Sequence, residues 1–271
     1  MEDNNLWIVT DLDGTLLDEN YDITPAVDTL NWLKTIGIPV IPCTSKTAAE
    51  VEKFRKEYSL YDPYIVENGA AIYGLNEIEL GISQINLGKG HSHLRPLLDK
   101  ISEEIGYKLV AFEDLTRTQI KELTGLRSED IELALKRLWS VPFLNPDSKY
   151  KKRLNQIALE FDLTVFEGNR MSHLLDKNSS KGNAINKLKQ IMNKSNIQII
   201  ALGDSPNDYS LLEFADIAIV VPGKKGPNKC FVEQIDNGRY LLAPAPHSEG
   251  WSKAVRMIVD QKLFENKKNN D

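Results

Sequence analysis

The stretch Ile8-Val9-Thr10-Asp11-Leu12-Asp13-Gly14-Thr15-Leu16-Leu17 decides the fold class. It continues a short apolar, β-rich run that begins at Leu6 and stops at Asp11. A strand ending in two carboxylates and a glycine puts polar chemistry at its carboxyl end, where open α/β sheets bind their ligands. Asp11 and Asp13 lie two residues apart, so in extended backbone they face the same way. One carboxylate of such a pair can stay ionised as a nucleophile. The other can donate and accept a proton. The spacing also lets one side-chain oxygen and one backbone carbonyl reach a hard cation such as Mg²⁺, which takes oxygen ligands. Gly14 permits the sharp turn that must follow the strand. The plain alternative is a polar turn that merely caps a strand.

The flanking sequence predicts the sheet around it. Residues 23–36 carry Val27, Leu30 and Leu33 at helical spacing, with Thr24 as N-cap, Pro25 in the first turn and Gly37 as the stop. Residues 38–43 read as a second buried strand and 46–58 as a helix with Val51 and Phe54 inward. Residues 64–66 read as a third strand. This βαβαβ order predicts a mostly parallel sheet covered on both faces. The same alternation returns at 180–193 (helix), 197–202 (strand), 211–214 (helix), 217–221 (strand) and 251–264 (closing helix). The middle is richer in charge. It has an amphipathic helix at 128–138 and candidate strands at 108–112, 163–167 and 171–175. The expected architecture is α/β: a doubly wound parallel-sheet core from 1–85 and 176–271, with an α/β cap domain, 86–175, inserted into it.

Three further stretches carry chemistry. Pro42-Cys43-Thr44-Ser45-Lys46-Thr47 follows the second strand, and a hydroxyl there suits a phosphoryl oxygen; hydroxyls after strands are also common caps. Lys181 opens a helix after Asp176-Lys177-Asn178-Ser179-Ser180, where an amine would neutralise a nucleophile and a phosphate together. Lys177 is the nearby alternative, and a solvated surface lysine the bland one. Gly203-Asp204-Ser205-Pro206-Asn207-Asp208 follows an apolar strand, and two acidic groups four apart at a strand end suit a cation.

Bulk properties narrow the class. The 271 residues are 41% hydrophobic and 27% charged, the pattern of a soluble globular protein. A net charge of -6 carries no electrostatic footprint for DNA or RNA, and none for an anionic membrane. An anionic substrate then needs local cations. Cys43 and Cys230 are far apart with no metal-like spacing, so a reduced cytoplasmic protein is expected. No apolar run reaches the roughly 18 residues that span a bilayer, and the opening MEDNNLW has no secretory pattern. His91 and His93 have a metal-like spacing without further ligands. The oligomeric state is left open.

Taken together, these motifs resemble those of the haloacid dehalogenase superfamily. The resemblance implies that Asp11 is phosphorylated and that Asp13 serves as acid and base. It assigns the single Ser or Thr of the second motif to Thr44, with Ser45 as fallback. It assigns the lysine of the third motif to Lys181. It makes Asp204 a magnesium ligand, with Asn207 and Asp208 supporting the metal shell beside Asp11 and Asp13. Further segments are similar to one branch, the mannosyl-3-phosphoglycerate phosphatases: Thr44-Ser45-Lys46-Thr47-Ala48-Ala49-Glu50, Val66-Glu67-Asn68-Gly69-Ala70-Ala71-Ile72, Leu123-Thr124-Gly125-Leu126, Glu167-Gly168-Asn169-Arg170 and Glu249-Gly250-Trp251. The implied substrate is a small anionic 2-O-glycosyl-3-phosphoglycerate, and the implied product a glycosylglycerate used as a compatible solute.

A cap arginine, Arg170 or Arg137, suits the substrate carboxylate because guanidinium grips it with two hydrogen bonds. Ser45, Lys46, Glu67, Asn68 and Ser140 complete the expected substrate-binding set, Ser140, Asn68 and Glu67 toward sugar hydroxyls. His173 is expected to be structural. Glucosyl against mannosyl substrate stays open. Rival readings are a phosphomutase, a sucrose-phosphate phosphatase and a non-catalytic binding module.

Overall fold

The computed structural model describes residues 5–168 and 170–270. In chain order its elements are β1 (Leu6–Thr10), α1 (Val27–Thr35), β2 (Val40–Pro42), α2 (Ala48–Tyr58), β3 (Tyr64–Val66), β4 (Ala71–Tyr73), α3 (Glu77–Leu80), β5 (Gln84–Asn86) and α4 (His91–Ile105). Then follow α5 (Arg117–Thr124), α6 (Ser128–Ala134), β6 (Val141–Leu144), α7 (Ser148–Glu160), β7 (Leu163–Glu167), β8 (Met171–Asp176) and α8 (Lys181–Ile191). The chain ends with β9 (Gln198–Gly203), α9 (Tyr209–Phe214), β10 (Ile217–Val220), α10 (Val232–Asp236), β11 (Leu241–Leu242) and α11 (His247–Asn270). Two compact units result: Met1–Ile41 with Asn196–Asp271, and Pro42–Ser195.

The first unit is built on a sheet of order β11-β10-β9-β1-β2. β9 pairs in parallel with β1 and β10, and β10 with β11. Every residue of β1 and all but the first of β9 are buried, the two-faced burial that a parallel sheet between helix layers demands. The start of the first helix is corrected. Thr24 does not cap it; the Asp22 carboxylate does the capping work, accepting from the Thr24 amide at 2.9 Å and hydroxyl at 2.6 Å. Thr24 is already the first residue of the 3-10 turn Thr24–Ala26, and its hydroxyl is spent on Asp22, so it cannot serve as the cap. Pro25 lies in the first turn, as expected.

The second unit holds two three-stranded antiparallel sheets, β3-β4-β5 and β6-β8-β7. The second of these rests on α4 and α7 through Leu94, Leu98, Ile101, Phe143, Leu154, Ile157 and Leu174, all fully or almost fully buried. The sequence placed 64–66 as a third parallel strand. β3 pairs antiparallel with β4 and touches Cys43 only through one parallel bridge from Ile65. Glu67, Asn68 and Gly69 have φ of 48°, 58° and 90°, and this left-handed run turns the chain straight back. Residues 108–112 are not a strand: only Ala111 bridges, to Phe143, because a 3-10 turn at Phe112–Asp114 takes over. The helix expected over 128–138 stops at Ala134. The expected insert, 86–175, falls wholly inside this second unit. Among the described residues no helix is long and apolar enough to cross a membrane. Cys43 is buried and Cys230 exposed, and neither takes part in a disulfide among the described residues.

Candidate active site

In the first unit, β1 and β9 are parallel neighbours with Thr10 opposite Leu202. The Asp11 amide carries the ladder one step further, donating to the Leu202 carbonyl at 2.9 Å. Equal strand ends therefore bring Asp11 and Asp204 side by side. Asp208 joins them, and one ligand atom from each carboxylate lies within 4.8 Å of the others. Asp11 and Asp208 are buried and Asp204 is half-buried.

Local chemistry holds this cluster. One Asp208 oxygen accepts from the amides of Asp204 at 2.9 Å and Ser205 at 3.0 Å, tying the loop after β9 into a tight turn. The Ser205 hydroxyl donates to Asn207 Oδ1 at 2.5 Å. The Thr15 hydroxyl donates to Asp204 Oδ1 at 3.0 Å. A Cβ on Gly14, whose φ is +87°, would stand 2.6 Å from Asp204 Oδ2, so only glycine lets the two loops close. Asp13 sits in the same loop, half-buried, and is not one of the three clustered carboxylates. Three carboxylates gathered in a mostly buried site repel one another unless a cation sits among them. An all-oxygen set at strand ends fits a hard divalent ion.

Two further residues, His247 and Trp251, touch this loop, and sequence reasoning gave neither a role in the site. The His247 Nδ1–H donates to the Gly14 carbonyl at 3.0 Å, and the Trp251 Nε1–H donates to the Thr10 hydroxyl at 2.9 Å. Trp251 was noted as part of a motif, whereas a lone histidine after Pro-Ala-Pro carries no periodic signal.

In the second unit, Thr44 is buried. Its amide donates to the Ile65 carbonyl, its carbonyl accepts from the Asn68 amide at 2.9 Å, and its hydroxyl accepts from the Lys46 amide at 3.2 Å. Lys46 pairs with Glu50 at 3.5 Å. Lys181 heads α8 with only 1% of its surface exposed, behind a Ser180 N-cap. Lys177, the alternative, is solvated and paired with Asp162. Gly69 packs so closely that a Cβ there would stand 2.1 Å from the Ser180 carbonyl. Thr44, Asn68 and the start of α8 are thus drawn together within this unit.

The residues expected to bind the substrate are tied to one another and to the backbone. Glu67 is buried, and its carboxylate accepts from the amides of Leu138 (2.9 Å) and Trp139 (3.1 Å) and from the Ser140 hydroxyl (2.6 Å). Arg137 Nη1 donates to the Ser45 carbonyl at 2.9 Å and to Ser140 at 3.2 Å, while its buried Nε has no hydrogen-bond partner. Arg170 is exposed and donates to the Thr124 carbonyl at 2.7 Å. His173 is buried. Desolvation, with Arg137 and Lys181 adding to it, lowers its pKa to about 3, so the imidazole is neutral. His91 pairs with Glu113, and no metal-like group includes it or His93 among the described residues.

A parallel α/β sheet that gathers carboxylates at adjoining strand ends places its polar chemistry where such sheets bind their ligands. The chain matches the haloacid dehalogenase-like hydrolase family over residues 8–223 and belongs to it. It is 34% identical over 267 residues to a glucosyl-3-phosphoglycerate/mannosyl-3-phosphoglycerate phosphatase of Persephonella marina, covering 94% of this chain and 97% of that one. Two crystal structures share its fold. A Thermoplasma acidophilum protein superposes with a TM-score of 0.68 at 16% identity, over 93% of this chain and 97% of that one. A Synechocystis sucrose-phosphatase, solved with sucrose and phosphate, gives 0.63 at 19% identity, over 94% and 98%.

Proposed function

We propose that the chain is a Mg²⁺-dependent phosphatase acting on 2-O-glycosyl-3-phosphoglycerate, with Asp11 as nucleophile. The convergence of Asp11, Asp204 and Asp208 at the ends of neighbouring parallel strands carries this reading. Likeness to the Persephonella marina enzyme supports the substrate class.

Asp11, Asp204 and Asp208 would hold the cation, with Asn207 bracing their loop. Bound there, Mg²⁺ supplies charge neutralisation between an anionic nucleophile and an anionic phosphate. Asp11 attacks phosphorus and the bond to the glycerate oxygen breaks. Asp13 gives its proton to that leaving alkoxide, then takes one from the water that cleaves the aspartyl phosphate. Thr44 and Lys181 keep the phosphate-binding roles that the family resemblance gives them. Residues 86–175 are read as the cap that carries selectivity.

A phosphate-release assay with Mg²⁺ tests this. It compares mannosyl- and glucosyl-3-phosphoglycerate with sucrose 6-phosphate and common hexose phosphates. The expected result is preference for one or both glycosyl-3-phosphoglycerates, abolished in Asp11→Asn and by chelation. Preference for a hexose phosphate would overturn the substrate while keeping the chemistry. Unchanged release in Asp11→Asn would overturn the nucleophile.

A further inference from the structure

The first turn of α11 is built against the catalytic loop. His247 opens it with φ of 50°, a left-handed conformation that a non-glycine residue holds only where its surroundings dictate it. Its amide donates to the Pro222 carbonyl at 3.1 Å, and the residue is buried with 7% exposed. A carbonyl only accepts, so the hydrogen between His247 and Gly14 resides on Nδ1. The ring's other nitrogen lies 3.6 Å from Glu19, which is itself paired with Lys224.

One turn further on, Trp251 donates to the Thr10 hydroxyl, which in turn donates to the Asp11 carbonyl at 2.7 Å. Gly250 makes the geometry attainable: a Cβ there would stand 1.7 Å from the Ala245 carbonyl. The two ends of residues 10–14 are thus held by a single helical turn. Between them lies Asp13, and Gly14 backs directly onto the Asp204 carboxylate.

We infer that the His247–Trp251 turn braces the Asp11–Gly14 loop, and that His247 is a positioning residue whose Nδ1–H holds the Gly14 carbonyl. The bond sets where Asp13 and the Asp204 carboxylate stand relative to Asp11. His247 touches no reacting atom; it acts through Gly14. The kinetic part of this inference rests on the reaction proposed above, while the structural part does not.

The test compares the full-length wild type with His247→Ala and His247→Asn. Asparagine keeps an N–H donor near the place of Nδ1 and removes the ring. Two readouts are taken: phosphate release from mannosyl-3-phosphoglycerate, and amide hydrogen exchange at Thr15 and Leu17. Both of those amides donate to the Leu12 carbonyl inside the loop, at 3.2 and 2.8 Å. In His247→Ala, kcat should fall about 10- to 100-fold with KM little changed, the signature of slightly misplaced reacting groups. Exchange at Thr15 and Leu17 should quicken together with that loss. His247→Asn should recover most of both.

Wild-type kcat and exchange in His247→Ala would overturn the brace. So would a His247→Asn form as impaired as the alanine form. If the wild type releases no phosphate, the proposed reaction falls and exchange alone decides the brace. Should His247→Ala fail to fold, His247→Leu replaces it, filling the volume without the donor, with the same expectations.

Discussion

Gly14 shows how much one residue settles. At φ +87° with Asp204 Oδ2 only 2.6 Å from where a Cβ would stand, it answers two demands at once, a turn and a close approach. Gly14→Ala should therefore destabilise the chain by about 1–3 kcal/mol through backbone strain alone. It should also push the Asp204 carboxylate out of the cluster. Thermal denaturation with and without Mg²⁺ separates the effects. The wild type should gain stability with the ion by mass action, and Gly14→Ala should gain little. A variant that responds to Mg²⁺ like the wild type would argue that Asp204 is no ligand. The turn at Gly14 and the carboxylates at the two strand ends were legible from Asp11-Leu12-Asp13-Gly14-Thr15 and Gly203-Asp204, because residue type and strand position are local properties; the close approach of Gly14 to Asp204 was not. His247 was not legible: its partner, Gly14, is more than two hundred residues away in the chain.

Among the elements, the β3–β4 turn departs most from expectation. Glu67 and Asn68 occupy left-handed backbone at a cost of order 1–3 kcal/mol each. The Glu67 carboxylate offsets it by collecting three donors from residues 138–140, beyond the end of α6 at Ala134, four residues short of the expected 138. Glu67→Ala strands those donors and should cost about 2–4 kcal/mol. Urea unfolding followed by the fluorescence of Trp139, the tryptophan of this unit, measures that. Glu67→Gln retains one acceptor oxygen and should fall in between. A Glu67→Gln protein of wild-type stability with a raised KM would instead return Glu67 to the substrate-binding set. The α2 helix was readable but starts two residues after the expected Lys46, at Ala48, where Thr47 and Glu50 form a capping box within four residues. The strand partners of β3 were not, because pairing depends on which segment arrives alongside.

At the scale of the whole molecule, acid sensitivity follows from the neutral, buried His173. Its folded pKa of about 3 lies below the ordinary 6.5. Above 6.5 neither folded nor unfolded imidazole carries the proton, and the group has no effect on stability. Below 6.5 the unfolded chain binds a proton that the folded chain refuses, so stability falls as the pH drops toward 3. Urea midpoints between pH 4 and 7 should therefore rise with pH, and His173→Gln should flatten that slope. An unchanged slope would mean that the imidazole is solvated. The parallel core, the apolar runs that become β1, β2, β9 and β10 and the acidic strand ends were written in local pattern: runs buried on both faces, glycines where turns must be tight, carboxylates where strands stop. Tertiary structure alone decided the rest. It gathered Asp11, Asp204 and Asp208 into one cluster, gave the Glu67 carboxylate to backbone amides, left Arg137 Nε buried without a partner and set α11 against the catalytic loop. The physical reason is one of range. Propensity and periodicity act over a few residues, whereas hydrogen-bond saturation and charge clustering depend on groups that only folding brings within 3 Å or so.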